Sequence, residues 1–133
     1  SLFAGAGEVR ITADGILTNG GRIQSDGAMT ATLGTTTTGG INNTGTLYAG
    51  ANSTMTTNGN ISNTGQIAAQ GNLVLTANGT NSNIVSASNA LLAAGISSAG
   101  VLGTPDASTG NLQISATQSI SANGQTLAAQ NLP

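Results

Sequence analysis

Apolar residues fall on every second position through much of this chain, in short runs that stop at glycine and asparagine. In GNLVLTANG at 71–79, Leu73, Leu75 and Ala77 alternate with Val74, Thr76 and Asn78. In ISNTGQIAA at 61–69, Ile61, Asn63, Gly65, Ile67 and Ala69 share one parity, and Ser62, Thr64, Gln66 and Ala68 the other. A period of two with β-branched residues predicts strands with one buried side. Asn19-Gly20, Gly39-Gly40, Asn58-Gly59 and Asn78-Gly79 bound the runs and supply the left-handed conformations that tight turns need.

The runs repeat. A block I/L-x-N-x-G-x-I/L-x-A/S stands at 17–25, 41–49 and 61–69, with degraded copies expected at 96–104 and 120–128. It alternates with G-N-L-x-L-T-A-N-G, read at 7–15, 51–59, 71–79 and, shortened, at 110–116. From 41 to 61, as from 51 to 71, the step is 20 residues. Leucine-rich repeats have a similar length but need a helical return limb and a denser Leu pattern. Two or three short strands with turns between them, and no helix, describe one coil of a parallel β-helix. The expectation is an all-β solenoid of about six coils over 1–133, roughly 30 Å long at the spacing of hydrogen-bonded strands.

Equivalent residues should stack into inward ladders, because no single coil can bury its apolar side alone. Leu17, Ile41, Ile61 and Ile96 are expected in one ladder and Ile23, Leu47, Ile67 and Leu102 in another. Ile11, Met55, Leu75 and Ile114 make a third. Asn19, Asn43 and Asn63 share the parity of the core and recur at one place in the repeat. A buried amide must be satisfied, and a column of them can bond side chain to side chain along the axis and to turn backbone. That structural role is preferred to an amide row for ligand binding.

Two places break the register. GTTTTGG at 34–40 carries about four extra residues, so Thr35, Thr36, Thr37 and Thr38 should bulge as a surface loop, a candidate partner contact. Over 80–95 the blocks compress, and an irregular coil is expected there in preference to a helical turn at 90–94. Tyr48, between inward Leu47 and Ala49, should point outward and could stack on a sugar or partner.

Composition removes most chemistry. With no His and no Cys in 133 residues, catalytic triads, zinc sites and thiol nucleophiles are excluded. The acids occupy different phases of the repeat, so no paired-carboxylate centre is expected, and the Asp column of calcium-binding nonapeptides is missing. No cofactor and no metal are expected. Only 5% of residues are charged and the net charge is −2, which disfavours nucleic acid and anionic lipid as partners. No run reaches the roughly 20 apolar residues that span a bilayer. Outward Thr54, Thr56 and Thr76 suggest a flat threonine face, broken at Arg10, Val74 and Gln113. Neither end shows a charged or helical cap, so the segment is expected to be an excerpt of a longer fibre.

The alternation of ISNTGQIAAQ with GNLVLTANG resembles the haemagglutinin-type repeats of two-partner-secretion exoproteins from Gram-negative bacteria, among them filamentous-haemagglutinin adhesins and contact-dependent growth-inhibition stick proteins. The resemblance is clearest at 7–79. It implies a right-handed parallel β-helix within a long secreted or cell-surface fibre, a dedicated outer-membrane transporter as secretion partner, and a receptor on a host or neighbouring cell. The expected role is a non-catalytic stalk. The alternative is a receptor- or glycan-binding module that uses the 34–40 insertion or the 80–95 region.

Overall fold

A computed structural model describes residues 2–5, 7–35, 37–103 and 110–130. Its described residues form sixteen strands and no helix. The strands make three parallel sheets, one of six strands and two of five. After Leu2–Ala4, each successive triplet of strands is one coil. The first coil is Val9–Ala13, Ile16–Asn19 and Arg22–Ser25; the second is Met29–Leu33, Gly40–Asn43 and Thr46–Ala49. The third is Ser53–Thr57, Ile61–Asn63 and Gln66–Ala69; the fourth is Leu73–Ala77, Asn83–Ser86 and Leu91–Ala94; the fifth is Leu112–Ala116, Ser119–Ala122 and Gln125–Ala128. Every strand pairs with its equivalent in the coils on either side, which makes a β-solenoid.

Alternation places the core. On the face of five-residue strands, Leu73, Leu75 and Ala77 are buried, while Val74 and Thr76 between them are only partly so. Ile41 pairs with Ile61, and Leu47 with Ile67, all at 2% exposure or less. Burying a residue of this size stabilises by about 1.5–3 kcal/mol. The ladders therefore supply most of the drive to stack.

The chain makes about four turns, fewer than the expected six, because residues go into turns and loops as well as strands. Val9 pairs with Met29, 20 residues on. Leu17 pairs with Ile41, 24 residues on, which locates four extra residues between Leu33 and Gly40. Leu75 pairs with Ile114, 39 residues on, because the stretch from 95 to 111 leaves the stack and returns.

The expected ladders need three corrections. Met29–Leu33 is a full strand, so Ala31 stands between Ile11 and Met55. Ile61 is followed by Ile84 and then Ile120, not by Ile96. Ile67 is followed by Leu92 and then Thr126, not by Leu102. Ile96 and Leu102 instead form an antiparallel bridge outside the coils.

Over 80–95 the expectation of an irregular coil also fails. Asn83–Ser86 and Leu91–Ala94 are regular strands in register with the coil before them. Only the corners are longer. The apolar residues at both parities of ALLAA have two surfaces to meet, the core inside and a covering loop outside.

Candidate functional site

Beside the face that carries the Asn column, each N-x-G triplet makes one corner. Asn19 Nδ2 donates to Asn43 Oδ1 at 2.9 Å, and Asn43 Nδ2 to Asn63 Oδ1 at 2.9 Å. Asn63 Nδ2 donates in turn to Ser86 Oγ at 3.4 Å and to the Leu91 carbonyl at 3.0 Å. Each amide also reaches turn backbone, as Asn43 does to the Gly45 and Gln66 carbonyls. The corner glycine follows from the same stacking: a Cβ on Gly65 would lie 2.1 Å from the Gly45 carbonyl oxygen. The amides face the core, with Asn43 and Asn63 at 1% exposure or less. The column holds the rod together and presents nothing to a ligand.

The 34–40 insertion is anchored at its base. Asp14 Oδ1 accepts from the Thr35 amide at 2.9 Å and from the Thr35 hydroxyl. The Thr37 hydroxyl donates to the Asp14 carbonyl at 2.9 Å, and Asn58 Nδ2 donates to the Thr37 carbonyl at 3.3 Å. Thr35, Thr37 and Thr38 are exposed; Thr36 lies outside the described residues. Thr38 and exposed Ile16 flank a shallow groove floored by Asn42, Asn60 and Ser62.

Tyr48 departs from expectation. Its side chain is on the outer parity of the six-stranded face, but it is only 6% exposed. The chain leaves the fourth coil at Gly95, whose φ is +74°, and turns back so that Ile96 covers the ring. The Tyr48 hydroxyl donates to the Ile96 carbonyl at 2.9 Å. In register with Tyr48 on the next coils stand Ala68 and Ala93, both buried and small enough to leave room for Ile96. Burial pushes the Tyr48 phenol pKa above its ordinary value, because a phenolate there would lose water.

Between that covering turn and the sheet lies an open cleft of about 100 Å³. One wall is a register column, Arg22, Thr46, Gln66 and Leu91, from four successive coils. The other is the turn at 96–100. Arg22 Nε donates to Gln24 Oε1 at 2.6 Å, which holds the guanidinium along the strand. Arg22 has no ion-pair partner among the described residues; the printed pair there joins Arg10 to Glu8 at 3.3 Å across the exposed surface. Sequence reasoning missed this cleft. Its one signal was the persistence of apolar residues past the strand end, at Ile96 and Val101, where a plain turn needs none.

Among the described residues no three His, Cys, Asp or Glu side chains gather closely enough to hold a metal ion. The cleft offers hydrogen bonding, one positive charge and apolar surface, a combination suited to binding. The haemagglutinin repeat family model matches residues 4–100 and 107–132. No curated protein and no solved structure matches the chain.

Proposed function

Because this chain belongs to the haemagglutinin-repeat family, we propose that it works as a non-catalytic stalk segment of a secreted or surface-exposed bacterial fibre, spacing a terminal activity away from the cell. The observation that carries this reading is the unbroken stack. The Ile41–Ile61–Ile84 ladder and the Asn19–Asn43–Asn63 column run through successive coils with one register, across turns of different length. Rigidity along an axis is what a spacer needs, and buried, mutually bonded amides give it without charges. In this reading the fibre leaves the cell through a dedicated outer-membrane transporter, and the receptor on a host or neighbouring cell is met elsewhere on it, whether the cargo is an adhesin tip or a growth-inhibiting toxin.

The test is removal of one whole coil. Deleting residues 53–72 from the full-length parent joins Asn52 to Leu73 and puts Leu73 in the register position of Ser53. A stalk loses a few ångströms of length and keeps cell binding or killing at normal surface display. Loss of activity with display intact would overturn the stalk role.

A second reading, a receptor- or glycan-binding module, is supported by the groove between Ile16 and Thr38. It places an aliphatic wall beside amide and hydroxyl groups, at the anchored insertion.

A further inference from the structure

We propose that the cleft under the 96–100 turn is a binding site for a carboxylate-bearing monosaccharide of the uronate class, with Arg22 anchoring the carboxylate. Four observations lead there. The chain holds only two cationic side chains, and the one without an ion-pair partner among the described residues lines this cleft. A guanidinium binds a carboxylate through two parallel hydrogen bonds, so a single Arg is a sufficient anchor.

The roof is built before any ligand arrives. Ser97 N donates to the Val101 carbonyl and Gly100 N to the Ser97 carbonyl, both at 2.9 Å. Val101 N donates to Ser97 Oγ at 3.2 Å, and Gly100 takes φ +83° to close the turn. With the Tyr48 hydroxyl bound to Ile96, the turn is tied at its base. A preformed site spares a ligand the cost of ordering it.

The lining matches a sugar better than an aliphatic acid. Thr46, Gln66 and Ser98 each both donate and accept, as sugar hydroxyls do, while Ala68, Leu91 and Ile96 offer apolar surface to ring C–H groups. The volume also limits the guest. About 100 Å³ suits one ring entering from the open side, well short of the roughly 300–1,000 Å³ of pockets for larger ligands.

The chain carries its own probe. Tyr48 is the only tyrosine and there is no tryptophan, so intrinsic fluorescence reports on the floor of this cleft. The experiment titrates glucuronate into the purified chain, with glucose and N-acetylalanine in parallel. The expected result is a saturable fluorescence change with glucuronate, weakened about tenfold or more in Arg22→Gln by loss of a charge-assisted contact. The melting temperature should stay unchanged, because Arg22 is exposed. Absence of saturation, or an equal response in Arg22→Gln, overturns the site. Glucose binding as well as glucuronate removes the carboxylate anchor, and N-acetylalanine binding as well removes the sugar.

Discussion

The side-chain amide of Asn43 donates to Oδ1 of Asn63, one coil away, at 2.9 Å, and both residues are shielded from water. Replacing Asn43 with Ala strands the Asn63 oxygen and removes the acceptor for Asn19. The expected cost is about 1–3 kcal/mol for a buried polar group left unpaired, seen as a lower urea midpoint. Exposed Asn42→Ala is the control and should leave the midpoint in place. Equal behaviour of the two would mean that water reaches the column.

Tyr48→Phe removes one buried hydrogen bond, to the Ile96 carbonyl, and should cost about 0.5–1.5 kcal/mol. The phenol pKa is raised in the folded chain by burial. Tyr48 is neutral in both states at neutral pH, so stability is full there. It should fall as pH rises past the ordinary tyrosine value of about 10, where the unfolded chain gives up its proton first. Denaturation at stepped alkaline pH, with Tyr48→Phe alongside, measures this. A variant with the same alkaline slope would assign the loss to other groups.

Ile67 is fully buried, and Ile67→Asp should unfold the chain or lower its melting temperature severely, because a carboxylate there has no partner. Gln66→Asp, exposed on the opposite parity, should be nearly silent. Ala68→Asp separates the covered outer face from open surface. It shares the parity of Gln66 but is 6% exposed under Ile96, so it should destabilise, by less than Ile67→Asp. A melt of Ala68→Asp that coincides with wild type would remove the covering turn.

Deleting Thr35–Thr38 leaves Leu33-Gly34-Gly39-Gly40-Ile41, the same length as Thr57-Asn58-Gly59-Asn60-Ile61 one coil later. The 20-residue step is restored, so circular dichroism and thermal stability should change little. In the full-length parent, a stalk keeps its activity on intact cells after this deletion. Activity lost at normal display would instead favour the groove beside Ile16 as a contact site.

Ser53 Oγ is buried with no hydrogen-bond partner, at a position held by Met29 and Leu73 in the neighbouring coils. Ser53→Ala should stabilise by about 1 kcal/mol through relief of that unpaired hydroxyl. A lower denaturation midpoint for the variant would show the hydroxyl to be bonded.

Strand parity was legible because it is local: Leu73 and Leu75 declare their side by the residues between them. Met29–Leu33 escaped because MTATL opens without the G-N-L of its neighbours and closes on the insertion rather than on Asn-Gly. Ile96 displaced Ile84 in the expected ladder because the turns before Asn83 and before Leu91 are longer than in the earlier coils, and a fixed period does not bend around them. The cleft was not legible at all. It needs Arg22, Gln66 and Ile96 in one place, and only the coil register joins positions so distant in the chain.

The pairing of Leu75 with Ile114 across 39 residues, where Met55 meets Leu75 across 20, also bears on the order of folding. Closing a loop costs entropy that grows only with the logarithm of its length, so a near-doubling adds about 0.6 kcal/mol. Each new strand finds a finished edge as its template, and the last coil waits hardly longer for its edge than the third did. Growth can therefore run past the excursion between Gly95 and Gly110 almost unslowed. A segment held at that neck is a passenger of the assembly process, and its length is nearly free to vary.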